Sequence, residues 1–167
     1  MINVDYKEAI RWWKLSASHG SSRAQHNLGV SYRDGVGTAI DYSEAMNYFK
    51  LAAAQGEERA YLNIATMYVK GQGVPQSYHE AKHWWILAAE KGNPVGQMML
   101  GIMYQYGQDV AKDIVRAHMW WNLASMNGNE EAKKNREALA EKMSAQQITL
   151  AQKLATECIA NNFKKCE

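Results

Sequence analysis

Four stretches of one pattern decide the fold: DYKEAIRWWKLSASHG at residues 5–20, DYSEAMNYFKLAAAQG at 41–56, SYHEAKHWWILAAEKG at 77–92 and DIVRAHMWWNLASMNG at 113–128. Each begins 36 residues after the one before it, without a gap. Alanine, an aromatic pair and leucine recur at the spacing of one helix face. The opening Asp or Ser can cap a helix, and the closing glycine can end it in a left-handed conformation. Each stretch therefore predicts one helix, which we call helix B.

A second segment repeats between these stretches: RAQHNLGVSYRDGVGT at 23–38, RAYLNIATMYVKGQGV at 59–74 and VGQMMLGIMYQYGQDV at 95–110. It also has helical periodicity, and we call its helix A. The small residue after the leucine lets a neighbouring helix approach closely. A hairpin of helices A and B cannot bury its apolar face alone, so successive hairpins stack. The sequence predicts an all-α fold, an α–α superhelix built as a right-handed solenoid of helix-turn-helix repeats.

The combined pattern A-x-x-x-L-G-x-x-Y, G-x-G-V and D-Y-x-x-A-x-x-W-W-x-x-A-A-x-x-G resembles the Sel-1-like repeat family, a relative of the tetratricopeptide repeats. The resemblance covers most of the chain. It divides the chain into a half repeat with helix B only, three full repeats and C-terminal capping helices. The predicted boundaries are 1–20, 21–56, 57–92, 93–128 and 129–167.

The charge of the chain is nearly balanced, with 19 basic and 17 acidic residues and a net charge of +2. A nucleic-acid partner normally requires a one-sided basic surface, so none is expected. No apolar run approaches the ~18 residues that span a bilayer, so membrane insertion is not expected either. No phosphate-binding or nucleophile motif is present, and we expect no cofactor.

The only motif that suggests catalysis is His79-Glu80-Ala81-Lys82-His83, which matches the H-E-x-x-H pattern of zinc proteases. Such a site also needs a third ligand and an open coordination position. The repeat register places both histidines at variable positions around the buried alanine. We therefore predict no metal site and no enzymatic activity. A hydrolase acting on cell-wall or peptide substrates, which some relatives suggest, is the alternative.

The resemblance implies a protein-interaction scaffold that binds an extended peptide or partner segment on the concave surface lined by helix A. Asparagine amides there would hold the ligand backbone, basic side chains would attract carboxylates, and the third repeat would hold an apolar anchor. The alternative is that Asn63 only bonds to a neighbouring helix. The candidate peptide-binding residues are Arg23, His26, Asn27, Arg33, Arg59, Asn63, Thr66, Lys70, Met99 and Tyr106.

The first helix B, at residues 5–19, has no helix A before it in this sequence. Either the array is longer than this chain, or another molecule covers this end. End-to-end self-contact through residues 5–19 is one form of the second alternative. Both alternatives predict an unusually large apolar patch on this helix.

The C-terminal segment departs from the repeat. Ser144 and Gln147 have the spacing of a capping box that opens a further helix. Cys158 and Cys166 are too far apart for a disulfide on one continuous helix, ~12 Å in rise, but a left-handed turn at Asn161-Asn162 would bring them together. Exported cysteine-rich relatives pair cysteines across a helical turn, which implies a disulfide and a periplasmic or secreted setting. Two reduced thiols in a cytoplasmic protein are the alternative.

Overall fold

The computed structural model of the protein describes residues 5–164 and 166, and every regular element in that part of the chain is an α-helix. The all-α prediction is confirmed. None of the described helices has the length and apolar character needed to cross a membrane. The helices are α1 (Tyr6–Ser18), α2 (Ser22–Asp34), α3 (Tyr42–Ala54), α4 (Glu58–Lys70), α5 (Tyr78–Glu90), α6 (Pro94–Tyr106), α7 (Ile114–Met126), α8 (Glu130–Ala140) and α9 (Ala145–Ala160).

The helices form two compact units, unit 1 at Met1–Ser77 and unit 2 at Tyr78–Glu167. In unit 1, α2 packs between α1 and α3, and α3 also packs against α4. In unit 2, α6 packs between α5 and α7, and α7 contacts both α8 and α9. Each unit is thus built by pairwise packing of neighbouring helices. Helices α2, α4 and α6 are the predicted helices A, and α1, α3, α5 and α7 are the predicted helices B.

The predicted caps set where the helices B begin and end. The Asp41 carboxylate accepts a hydrogen bond from the main-chain N–H of Glu44 (3.0 Å), and Asp5 and Asp113 cap α1 and α7 in the same way. After α3 the chain reverses at Gly56, whose φ of +82° suits glycine because it has no Cβ. Carboxylate caps therefore recur on α1, α3 and α7 at positions that the repeat register predicts.

Aromatic residues of helices B lie directly on glycines of the helices A before them. A Cβ added to Gly29 of α2 would lie 2.6 Å from the Phe49 ring of α3. A Cβ added to Gly101 of α6 would lie 2.4 Å from the Trp121 ring of α7. Because no side chain fits between these helices, the glycines determine how closely each pair packs. Phe49 is fully buried and Trp121 nearly so.

The C-terminal helix α9 is opened by the predicted capping box. The Ser144 hydroxyl accepts from the Gln147 N–H at 3.2 Å, and the Gln147 side chain accepts from the Ser144 N–H at 2.9 Å. Past Ala160 the chain turns through Asn162 and Phe163, both with positive φ.

This turn brings the two cysteines together. The structure joins Cys158 and Cys166 in a disulfide with a Cα–Cα distance of 5.1 Å. Disulfides persist mainly in oxidising compartments, so the bond indicates that kind of setting.

Candidate interaction surface

A hydrogen-bond network centred on Asn63 connects α2 and α4 on one surface of unit 1. Nδ2 of Asn63 donates to the main-chain oxygen of Arg59 at 3.0 Å and lies 2.9 Å from Nε2 of His26. Oδ1 of Asn63 accepts a hydrogen bond from Nη1 of Arg33. We call this surface the α2–α4 face; its candidate residues are Arg23, His26, Asn27, Arg33, Arg59, Asn63, Thr66 and Lys70. The sequence analysis left open whether Asn63 holds a ligand or bonds to a neighbouring helix, and the structure shows the bonds to the neighbouring helix.

Two of the predicted carboxylate-binding cations already have a carboxylate of their own chain. Arg33 donates from Nε and Nη2 to the two carboxylate oxygens of Asp34, each at 2.7 Å. The same contact lowers the pKa of Asp34 and raises that of Arg33. Arg59 donates from Nε to Glu57 at 2.8 Å, which lowers the Glu57 pKa. Arg33 and Arg59 thus each meet a carboxylate of their own chain, with which a ligand carboxylate would have to compete.

His26, one of the candidate peptide-binding residues, is buried, so little of its side chain lies within reach of a ligand. Its ring lies 5.7 Å from the Phe49 ring, between α2 and α3. Burial lowers the pKa of His26, and the positive charges of Arg59 and Arg33 lower it further, against the opposing effects of Asn27 and Glu57. The neutral imidazole uses Nε2 to accept from the Asn63 amide, so His26 orients that amide.

We predict that the free energy of unfolding falls as the pH is lowered from about 7.5 to about 5. Burial lowers the pKa of His26 and of His118, and the charge of Arg136 lowers the His118 pKa further. The unfolded chain, whose histidines titrate near ~6.5, then binds protons that the folded chain does not. The histidines cost no stability above the pKa of the unfolded chain. The free energy of unfolding declines as the pH falls from there toward the lowered pKa values of His26 and His118 in the folded chain.

Urea unfolding at several pH values tests this prediction. His26→Gln and His118→Gln should each flatten the dependence of stability on pH. An unchanged dependence in both variants would contradict the assigned cause.

The candidate residues nearest the N-terminus of α2 are Arg23 and Asn27, and neither pairs with a carboxylate among the described residues. Arg23 is exposed and makes no ion pair with any residue that the structure describes. Asn27 contacts His26 through Oδ1 at 3.4 Å, while its Nδ2 donates to no described residue. Because Asn27 lies one helical turn after Arg23, both side chains are placed to meet the same ligand.

Thr66 and Lys70 continue the face along α4. The Thr66 hydroxyl donates to the main-chain oxygen of Leu62 at 2.8 Å and retains its capacity to accept. Lys70 is exposed, and its charge contributes to lowering the pKa of Asp34. It makes no ion pair within residues 5–164. Lys70 is thus a second cation of the face that a ligand could reach.

Met99 and Tyr106 lie on α6 and belong to unit 2. Met99 is partly exposed, and Tyr106 has 70% of its surface exposed. Both side chains are apolar in large part and reach the surface of α6. The sequence analysis predicted that this helix would contact an apolar side chain of the ligand.

The histidines of the H-E-x-x-H pattern have different partners. Nδ1 of His79 lies 3.0 Å from a carboxylate oxygen of Asp109, and the side chain of His79 is largely exposed. The ring of His83 meets the edge of Trp84 with the ring centres 5.8 Å apart. No group of three or more metal-ligating side chains occurs in the part of the chain that the structure describes.

Two amide pairs that the sequence analysis did not single out connect helices A to the ends of helices B. Gln55 donates from Nε2 to Oε1 of Gln25 at 2.7 Å, and Asn127 donates from Nδ2 to Oε1 of Gln97 at 3.0 Å. Each pair spans 30 residues, and the second lies 72 residues after the first. A search for amides recurring at twice the repeat length would have found them.

The chain consists of helical hairpins that pack on one another, and its helices A carry polar side chains on one surface. These features are those of a helical-repeat protein. The Sel1 repeat model matches residues 1–21, 22–57, 58–93 and 94–129. The chain therefore belongs to the Sel1 repeat family, and the recognition of this family is confirmed.

Solved structures of bacterial proteins share this fold. A Sel1 repeat protein from Oxalobacter formigenes is 32% identical, with a TM-score of 0.75 over 79% of this chain and 54% of that one. The protein c5321, a protective antigen of uropathogenic Escherichia coli strains with an SLR fold, is 34% identical, with a TM-score of 0.82. The match covers 94% of this chain and 34% of that chain. No curated protein matches the chain at a significant level.

Proposed function

We propose that this protein is a non-enzymatic interaction module that binds an extended, acidic peptide segment on the α2–α4 face. The observation that carries the proposal is the pair Arg23 and Asn27. Both have donors that bond to no residue in the described part of the chain, whereas Arg33, Arg59 and Asn63 on the same face bond within the chain. Arg23 supplies a guanidinium for a ligand carboxylate, and Asn27 supplies an amide for its main chain.

The hydrogen bonds of the bonded residues fix the side-chain conformations at the centre of the α2–α4 face. Asn63 is held from three directions by His26, Arg33 and the main chain of Arg59. A surface whose side chains are already ordered loses less conformational entropy when a ligand binds. Lys70 extends the positive charge along α4, and Met99 and Tyr106 of unit 2 are proposed as a separate contact for apolar side chains.

The disulfide between Cys158 and Cys166 supports a periplasmic or secreted setting for this activity. The alternative hydrolase would need a third metal ligand beside His79 and His83, and the described residues contain no group of three or more metal-ligating side chains. The proposal therefore concerns binding alone.

Selection from a displayed library of random peptides with free C-termini tests the proposed class of ligand. We expect selected peptides to be enriched in acidic residues, and absence of that bias would contradict the class. Binding of a selected peptide is then measured by titration calorimetry. Arg23→Glu combined with Asn27→Ala should weaken binding at least thirtyfold, about 2 kcal/mol, since a charge-assisted and a neutral hydrogen bond are lost.

The matched control is Lys50→Glu, which makes the same reversal of charge at an exposed position of α3, outside the face. Binding to this variant should stay within about threefold of the parent protein, since one distant surface charge has a small, salt-screened effect. Equal losses in the control and in the double variant would show non-specific attraction and remove the site assignment.

A further inference from the structure

A cavity of about 150 Å³ lies within unit 2, where α6, α7 and the end of α8 meet. Its lining includes both apolar and polar side chains: Gln105, Tyr106, Trp121, Asn135, Leu139 and Lys142. Trp121 and Leu139 are nearly fully buried, and they form an apolar wall. The indole of Trp121 is held in place, because its Nε1 donates to the main-chain oxygen of Met98 at 3.2 Å.

Three polar side chains of this lining have no partner among the described residues. Oε1 of Gln105 is buried and accepts no hydrogen bond from them. The amide of Asn135 is half-buried and also makes no hydrogen bond there, and the exposed ammonium of Lys142 makes no ion pair. Since buried polar atoms in folded proteins nearly always have a partner, an unpaired acceptor at the wall of a cavity indicates a ligand that donates to it.

The equivalent positions in unit 1 bond to each other. Arg33 of α2 donates to Oδ1 of Asn63 of α4. Gln105 and Asn135 lie two repeats of 36 residues after these two positions. The shorter glutamine replaces the arginine, and it makes no hydrogen bond to Asn135. The polar groups that satisfy each other in unit 1 are therefore available to a ligand in unit 2.

The lining sets three requirements for the ligand. Among the described residues that line the cavity, Lys142 is the only charged one, so the ligand carries a negative charge. Oε1 of Gln105 requires a hydrogen-bond donor, which an acceptor-only anion such as sulfate does not supply. The wall formed by Trp121 and Leu139 requires an apolar group. The cavity is smaller than the ~300–1,000 Å³ of most small-molecule pockets, so its occupant has about the size of one residue.

We infer that this cavity binds the C-terminal residue of a peptide or protein whose last side chain is apolar. The terminal carboxylate pairs with Lys142 and accepts a hydrogen bond from Nδ2 of Asn135. The main-chain N–H of the same residue donates to Oε1 of Gln105, and its side chain lies on Trp121. The inference rests on the proposed function only in giving Tyr106 a contact with an apolar side chain.

The probe is the peptide acetyl-Ala-Ala-Leu with a free carboxylate, and the matched probe is the same peptide with a C-terminal carboxamide. Each is titrated into the intact, 15N-labelled protein. We expect saturable shifts of the indole N–H resonance of Trp121 and of the side-chain amide resonances of Gln105 and Asn135. The carboxamide should bind about tenfold more weakly, because it cannot form the charge-assisted contact with Lys142.

Lys142→Gln tests the origin of that difference. Because Lys142 is exposed, the variant keeps the fold, and it should bind the two peptides equally within about twofold. The matched control is Lys134→Gln, the same change at an exposed position of α8 outside the cavity. The control should keep the preference for the carboxylate. Gln105→Met, which removes the acceptor at a similar side-chain length, should weaken the binding of both peptides about fivefold.

Several results would overturn the inference. Equal binding of the two peptides to the parent protein would exclude the carboxylate contact, and an unshifted Trp121 indole would exclude the cavity. Tighter binding of free leucine than of the peptide would assign the cavity to a free amino acid and not to the end of a chain. Loss of the carboxylate preference in Lys134→Gln would show a general charge effect.

This test is independent of the one for the acidic-peptide site on the α2–α4 face. Arg23→Glu should leave the affinity for acetyl-Ala-Ala-Leu within about twofold, since Arg23 does not line the cavity. Lys142→Gln in turn should leave the selected acidic peptides bound. Failure of one proposal can thus be distinguished from failure of the other.

Discussion

Replacing Phe49 by alanine should destabilise the protein by about 3–5 kcal/mol, the usual cost of removing a buried phenylalanine. The Phe49 ring is fully buried and lies on Gly29 of α2, with the His26 ring on another side. Its loss leaves a cavity between α2 and α3. Since whole domains are stable by only about 5–15 kcal/mol, the variant loses a large part of its stability. Urea unfolding followed by far-ultraviolet circular dichroism measures the change.

The cause of the loss is tested by adding Gly29→Leu to the Phe49→Ala variant. Alone, Gly29→Leu overpacks the contact and costs about 1–3 kcal/mol, even though leucine favours helix more than glycine does. In the double variant, the leucine side chain at position 29 occupies the space that the Phe49 ring leaves. We expect the double variant to be more stable than the sum of the single effects by about 1–2 kcal/mol.

Leu51→Ala serves as the matched control for the same helix. Leu51 is exposed, so its truncation should cost less than about 1 kcal/mol. Strict additivity of Gly29→Leu and Phe49→Ala would contradict the contact that the structure shows. A loss at Leu51 as large as that at Phe49 would show that α3 is destabilised by any truncation.

The sequence predicted those parts of the fold that depend on interactions within one repeat. The carboxylate of Asp41 caps α3, and Gly56 ends the turn after it, because both effects act over a few residues and recur every 36 residues. The turn at Asn162 was also predictable, since asparagine tolerates positive φ. Periodicity likewise separated the two classes of helix before any contact was known.

The candidate site was less predictable because its bonding depends on how one repeat meets the next. The register placed Asn27 and Asn63 at equivalent positions. Asn63 bonds to His26 and Arg33 of the helix A before it, whereas Asn27 contacts only His26 of its own helix among the described residues. Position within a repeat therefore does not decide which donors remain unused. The pairing of Arg59 with Glu57 depends on side-chain conformation, which the repeat pattern does not specify.

Reducing the disulfide between Cys158 and Cys166 should destabilise the protein by about 2.5 kcal/mol. The chain-entropy relation gives this value for a closed loop of this length. The bond retains the turn after α9, and that helix packs on α7 through its buried face at Ala151, Ala155 and Cys158. Thermal unfolding of the oxidised protein and of the protein in excess dithiothreitol measures the difference.

The variant Cys166→Ser separates loss of the bond from loss of packing, because it leaves the buried Cys158 side chain in place. In oxidising buffer it should unfold like the reduced parent protein, and dithiothreitol should have no further effect on it. Unchanged stability of the parent protein on reduction would show that packing against α7 holds α9 without the disulfide. The expected loss instead makes the stability of α9 depend on the redox state of its surroundings. The chain is then most stable in the oxidising setting proposed for its binding activity.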